Sequence, residues 1–268
     1  MARISVDVST LAGWSSLADG SHNITVVAKA DGYRDSEPSA AVSVEKLPAV
    51  VMPVKGDIIT LDSKQYRVLK INGSVAEVLA MYDANSKIAF DSSSDKNTYA
   101  GKSLDTYCNS TFYSGLSAAM KNAIVDKTFT QDSWKRDSSA PTPSHYTGKY
   151  GSKAYYYLTL VNAAFGTSIT RHCYVLSVQD VLDYLNATTS MGISDTTLTD
   201  TNIWEMFWNQ TTAPGTSFLW LRSASASTSD KAFIANGYGV GLDQDYANSS
   251  DTARPAFQID LSKIAWSK

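Results

Sequence analysis

The sequence predicts an α+β protein: short strands, two or three helices and long loops, preceded by a smaller β segment. Three observations lead there. Three short alternating runs, separated by turn pairs, follow one another between residues 55 and 82. Apolar residues then recur at helical spacing in three places. The chain has 268 residues and is 43% hydrophobic, enough for a sizeable core in one large domain or two smaller ones.

The elements follow in order. In residues 1–46, His22–Ala30 alternates and is β-branched, Asp31–Ser39 is a turn-rich link, and Ala40–Glu45 is a second strand. Residues 47–54 form a linker marked by Pro48 and Pro53. Residues 55–268 form the main domain. Its first strands are Gly56–Leu61, Gln65–Ile71 and Val75–Tyr82, with Asp62-Ser63 and Asn72-Gly73 as turns. Leu116, Ala119, Met120, Ala123 and Ile124 make one amphipathic helical face. Ser177 caps a second helix carrying Val178, Val181, Leu182 and Leu185. Ile203, Trp204, Phe207 and Trp208 mark a third, with both tryptophans assigned to the core. The polar stretch Asp132–Ser152, with Pro141 and Pro143, reads as a surface loop. Tyr155-Tyr156-Tyr157 reads as a strand with alternating exposure.

Composition narrows the function. Charged residues are only 18% of the chain and the net charge is -3, with no Lys/Arg cluster. That argues against nucleic acid and anionic membranes as partners. No apolar run approaches the roughly 18 residues of a membrane span, and the N-terminus has no apolar signal core. Ser, Thr and Asn take the place of charge, as on many secreted and virion proteins. Six N-x-S/T sequons, at Asn23, Asn72, Asn109, Asn186, Asn209 and Asn248, are what an Asn/Ser/Thr-rich chain makes by chance. Cys108 and Cys173 either form one bridge or remain two buried thiols, the second being the preferred expectation.

The most informative stretch is 218–261. A firm frame, Phe218–Ser223 at one end and Ala253–Leu261 at the other, encloses residues that are almost all Ser, Ala, Thr, Asp, Asn, Gly and Tyr. Small polar groups offer adaptable hydrogen bonds, and Tyr offers rigid amphipathic area at low entropy cost. This composition suits a binding surface. Its candidate ligand-contacting residues are Ser225, Ser227, Ser229, Asp230, Asn236, Tyr238, Asp243, Asp245, Tyr246, Asn248 and Asp251. Phe233 and Leu242, with Ile234 and Val240, look like core anchors, and Gly237, Gly239 and Gly241 suit a hairpin rather than a phosphate loop. Trp220, Arg222, Arg254 and Asp260 are expected to brace the surface, each arginine bonding carbonyls or a carboxylate such as Asp260.

Other chemistry is less well supported. Adjacent His172 and Cys173 point to opposite faces of a strand, which disfavours a shared metal. A Cys108–His172 catalytic pair lacks an orienting signature. No metal and no cofactor is expected.

Two resemblances sharpen these expectations. Gly20–Ser36 resembles the closing strands of bacterial immunoglobulin-like or fibronectin-like modules; a whole module needs about 80–100 residues, so residues 1–46 are a partial one. Ser103–Asn109, Arg171–Val175, Asn202–Asn209, Leu219–Ser223 and Arg254–Phe257 together resemble the C-type-lectin-like, formylglycine-generating-enzyme-like fold. More narrowly, residues 55–268 resemble the variable proteins that retroelements diversify in gut bacteria and their phages. That resemblance implies mutation of template adenines, which turns Asn-type codons into the residue types found in 224–252. It implies a display protein on a phage tail or bacterial surface, with a protein or glycan ligand and, through avidity, an advantage in forming homo-oligomers. It implies no oxidase activity, since no cysteine follows Cys173, and no calcium-dependent sugar site, since the E-P-N or Q-P-D and W-N-D triplets do not occur. The competing expectations are an enzyme of the same superfold and a structural module without a ligand.

Overall fold

The computed structural model of the chain describes residues 7–46, 51–82, 87–92, 96–136, 146–148, 151–153, 158–187, 200–208, 218–236 and 241–268. The chain divides into two compact units, Met1–Met52 and Pro53–Lys268.

In the first unit, β1 (Gly20–Ile24) and β2 (Val42–Lys46) pair as an antiparallel hairpin. The expected strand through Ala30 stops at Ile24. Beyond it, the Ser39 and Ser36 hydroxyls accept from the Val26 and Ala28 amides at 3.0 and 2.9 Å, so side chains replace part of the ladder. None of the described residues of this unit is buried; Val26, Tyr33 and Val42 are all exposed.

The second unit opens with β3 (Ile58–Leu61), β4 (Lys64–Asn72) and β5 (Val75–Ala80), the three expected strands. Asp62 and Ser63 turn the first hairpin with positive φ, and Gly73 does the same for the second. After β6 (Lys87–Ala89) comes α1 (Ser103–Thr106), which runs on as a π-helix, Tyr107–Phe112. The short helix α2 (Ala118–Ala123) is capped by the Ser117 hydroxyl and buries Met120 and Ala123. Then follow β7 (Ile124–Val125), β8 (Lys127–Arg136), β9 (Tyr146–Gly148), β10 (Gly151–Lys153), β11 (Leu158–Arg171) and β12 (Cys173–Tyr174). Helix α3 (Val178–Leu185) starts in a capping box: the Ser177 hydroxyl accepts from the Asp180 amide, and the Asp180 carboxylate accepts from the Ser177 amide. Helix α4 (Asp200–Trp208) is the third expected helix. The chain finishes with β13 (Phe218–Ser225), β14 (Lys231–Asn236), β15 (Gly241–Tyr246), β16 (Ser250–Thr252) and β17 (Ala256–Asp260).

These strands form two main sheets. One runs β12-β17-β5-β4-β3 with β7 on β17; the other runs β11-β8-β13-β14-β15, with β16 joining β13 to β6. The architecture is therefore mixed α+β, with more strand than helix. Leu69 and Leu79 of the first sheet, Val181 and Leu182 of α3, Ile203 and Phe207 of α4, and Leu219, Leu221 and Phe233 of the second sheet share one core. A second aromatic cluster puts Phe112 of the π-helix against Phe257 and Tyr82, with Tyr66 edge-on to both of the latter.

The expected surface loop at Asp132–Ser152 needs correction. Asp132 and Trp134 continue β8 and are buried. Asp132 Oδ2 accepts from the Trp134 indole and the Ser223 hydroxyl, each at 2.8 Å, so a residue type read as loop polarity is hydrogen-bonded inside the fold through one of its two carboxylate oxygens. Farther on, β9 and β10 pair as a short hairpin. Tyr155–Tyr157 lie outside the described residues.

Candidate functional site

The enclosed segment does not stay on the surface as one block. β14 is the strand between β13 and β15, and Ala232, Phe233, Ile234, Ala235 and Asn236 are all buried. Phe233, Ile234 and Leu242 are core anchors as expected; Val240 and Tyr238 lie outside the described residues. The pairing of Asn236 with Gly241 confirms the hairpin.

Among the described residues of the segment, what remains exposed lies at the opposite end of these strands. The β13–β14 turn presents Ala226, Ser227, Thr228 and Ser229; the turn after β15 presents Tyr246, Asn248 and Ser250. Tyr246 is 51% exposed. The two turns are neighbours: Lys231 pairs with Tyr246, its ammonium stands 4.3 Å from the Tyr246 ring centroid, and the Ala247 amide donates to the Asp230 carbonyl at 2.7 Å. Asp230, Asp243, Asp245 and Ser249 sit half-buried around this end.

Three expected contact residues are buried instead. Ser225, Asn236 and Asp251 are 5%, 6% and 7% exposed, so they support the surface rather than form it. The Ser225 hydroxyl accepts from the Ser227 amide at 3.1 Å, and the Asn236 amide donates to Asp243 at 3.3 Å. Short polar side chains suit either role, and burial of the strand ends decides between them.

Sequence reasoning missed the residue that holds the first turn. The buried Asn97 amide nitrogen donates to the carbonyls of Ser225, Thr228 and Lys231 at 3.0, 2.9 and 2.8 Å. Its backbone amide donates to the Ser229 carbonyl at 2.9 Å. Gln131 seats Asn97 in turn, donating to the Asn97 and Arg222 carbonyls at 2.8 and 3.1 Å and accepting from the Tyr99 amide at 2.6 Å. Nothing in the polar run around Asn97 signals this role.

Of the expected bracing residues, Arg222 bonds a carbonyl and a carboxylate. Arg222 donates to the Val175 carbonyl at 2.8 Å and to Asp180 at 2.5 Å, and lies over the Phe129 ring; its carboxylate is Asp180, not Asp260. Burial alone would raise the Asp180 carboxyl, but Arg222 and Lys127 beside it hold it well below the usual carboxylate range. Lys127 also reaches Glu77 at 2.6 Å, so one largely half-buried ionic chain joins the two sheets and α3. Asp260 instead accepts from the Ser262 hydroxyl and amide, which, with Ser74, keep its carboxyl low. Arg254 lies over the Trp208 ring and Trp220 donates to the Ile88 carbonyl at 2.7 Å.

The remaining candidates group elsewhere. Cys108 and Cys173 are both buried free thiols. Burial pushes the Cys108 thiol up to about 12, against the Tyr99 hydroxyl that lowers it, so at neutral pH it is no nucleophile. His172 bonds Asp126 and stacks on Tyr113 with centroids 4.3 Å apart. With Asp105, Asn109 and Arg171 it lines an open cleft of about 390 Å³ beside the π-helix. There Arg171 grips Asp105 through two bonds of 2.7 and 2.6 Å, and the Asn109 side chain ties Asp105 to the Cys173 carbonyl. Among the described residues, no group of three or more His, Cys, Asp or Glu is placed to hold a metal ion, and no helix is long and apolar enough to cross a membrane.

Comparison with known proteins yields a family without a function. The model of a domain of unknown function, DUF6273, matches residues 74–261. No curated protein and no solved structure matches the chain. The matched stretch begins inside the β4–β5 hairpin, whereas the sheet also needs β3 and β4, so the folded unit starts before the family boundary. It covers both exposed turns and all the residues that brace them, and more than half of the sequence: this chain belongs to the DUF6273 family.

Proposed function

We propose that the chain is a ligand-binding protein that presents the Ala226–Asp230 and Tyr246–Ser250 turns as its contact surface. One observation carries this: two adjacent exposed turns of Ser, Thr, Asn and Tyr are held in place, the first from beneath by the buried Asn97 side chain and the second by backbone bonds of Ala247 with Asp230 and Asp91. Turns held this way lose little entropy on binding, which favours affinity. Substitution at their exposed positions leaves the core untouched, which favours diversification. Tyr246, beside Lys231, is the natural anchor, with Ser227, Ser229, Asp230, Asp243, Asp245 and Asn248 around it for hydrogen bonds.

Within this proposal the scaffold is a C-type-lectin-like fold and the protein a retroelement-diversified variable protein of gut bacteria or their phages. It would act outside the cell, on a virion tail or a bacterial surface, with residues 1–46 as a partial immunoglobulin-like connector. Its partner would be a protein or glycan on a cell surface, and homo-oligomers would add avidity. No turnover and no cofactor belong to this role.

Two tests bear on it. The locus should carry a reverse transcriptase and a near-identical copy of the coding segment for residues 219–260, differing at adenines; a locus with neither removes the diversification. Separately, the purified chain is applied to a defined glycan and surface-protein array beside a variant with 226–230 replaced by Gly/Ser and Tyr246→Ser. Loss of every specific signal in the variant is expected. Equal signals from both would place the contact surface elsewhere.

A further inference from the structure

A cleft of about 990 Å³ opens between the first sheet and α3. Lys70 of β4, Glu77 of β5, Gln258 of β17 and Val125 of β7 stand opposite one another in register, so they form one row across a single sheet face. On α3, Asp180, Asp183 and Tyr184 share one side of the helix by their i, i+3, i+4 spacing, and all three line the same cleft. Ile71 and Val75 add apolar wall beside Val125. Lys55 enters from the segment before β3, its ammonium 5.1 Å from the Tyr184 ring centroid. Apolar walls with a few convergent polar groups, in a volume at the upper end of the roughly 300–1,000 Å³ of small-molecule sites, describe a ligand pocket.

The acids and bases of this cleft are unequally engaged. Lys127 bonds both Glu77 and Asp180, at 2.6 and 3.3 Å, the Tyr174 hydroxyl donates to Glu77 at 2.6 Å, and Arg222 takes the other Asp180 oxygen at 2.5 Å. Asp183 accepts from the Gln179 amide at 2.7 Å. The acids are therefore all occupied. Two of the bases are not: among the described residues neither Lys55 nor Lys70 has a carboxylate within ion-pair distance. Lys55 meets neutral groups, the Tyr184 ring and the Asn186 side-chain oxygen at 3.2 Å. Lys70 stands opposite Glu77, but Glu77 is turned to Lys127. Both lysines are exposed, which puts their ammoniums at the mouth.

We propose that this cleft is a second binding site, for a small organic anion: a carboxylate carried on an apolar or aromatic body. The body lies along Ile71, Val75 and Val125 beside the Tyr184 ring, and the carboxylate takes the Lys55 and Lys70 ammoniums, whose flexible stems let them close on it. Charge decides the class. An amine would meet acids that Lys127 and Arg222 already neutralise, and a neutral ligand would leave both ammoniums without a counter-ion. None of the residues lining the cleft belongs to the presented turns, so the site stands or falls apart from the display role proposed above.

The test titrates the full ¹⁵N-labelled chain with phenylbutyrate, with its primary amide and with phenylbutylamine, following the backbone amides of Ile71, Val125 and Tyr184 by two-dimensional NMR. Phenylbutyrate should shift all three together and saturably, with an affinity about tenfold above that of the amide or the amine. Added salt should narrow that gap, since the two ammoniums are exposed. Joint replacement Lys55→Gln and Lys70→Gln should weaken phenylbutyrate binding by the same factor and leave binding of the amide unchanged, a split that a merely structural role would not produce. No saturable shift at these amides with millimolar phenylbutyrate overturns the site. Equal affinity for the three probes, tighter binding of the amine, or a double variant that binds phenylbutyrate as the parent does overturns the anion.

Discussion

Strand β14 and the turns that border it are neighbours in sequence and opposites in environment. Ala232–Asn236 are sealed between β13 and β15, while Ala226–Ser229 and Tyr246–Asn248 lie on either side in sequence and reach water except at Ala247. The difference teaches that small-residue composition marks where a chain can vary only after topology has chosen which residues face out. Ser225 and Ser227 are chemically identical; one ends a buried strand and the other begins a turn.

The comparison breaks most visibly at Phe233, which is 1% exposed. Phe233→Ala should cost about 3–5 kcal/mol, through lost burial and the cavity left behind, read as a large fall in Tm or in soluble yield. Asn97→Ala comes next. It strips the amide from three carbonyls and should cost about 2–3 kcal/mol, with faster hydrogen exchange confined to the 226–231 turn. An equal cost with exchange spread evenly through both sheets would mean that Asn97 is an ordinary core residue.

Asp251 gives a smaller effect of opposite sign. Its folded carboxyl sits near 7, above the unfolded value, so across the window between them the folded chain keeps a proton that the unfolded chain releases. Stability therefore declines as pH rises through that window and levels off above about 7. Asp251→Asn should flatten the decline and gain about 1–2 kcal/mol at alkaline pH, a figure reduced for water at the rim of the turn. A denaturation series across pH reads it directly. The smallest effects belong to the exposed turn positions: Ser227→Ala and Asn248→Ala should each stay within about 0.5 kcal/mol of the parent.

The legible parts of the sequence were those with local causes. The cap at Ser177, the turn pairs at Asp62-Ser63 and Asn72-Gly73, and the apolar spacing of α4 are all written within a few neighbouring residues, whereas Leu116 and Ile124, expected on the α2 face, fall outside that helix. Phe233, Ile234 and Leu242 stood out as anchors because the residues around them are small or polar. The missing parts depend on distant partners. Asn97 acts on residues some 130 positions later, Asp132 is buried with one carboxylate oxygen bonded to Trp134 and Ser223, and Arg222 finds Asp180 across the fold rather than Asp260 along the chain. The π-helix carrying Cys108 and Asn109 gave only a motif, since its five-residue hydrogen-bond step has no simple sequence period.

The central claim is that the chassis does not depend on what its presented turns contain. Thermal unfolding of a combined variant, with Ser227, Thr228, Ser229, Tyr246 and Asn248 all replaced by Ala, tests it most directly. The account predicts one cooperative transition with Tm within about 5 °C of the parent. Loss of cooperativity, or a fall as large as that of Phe233→Ala, would contradict it.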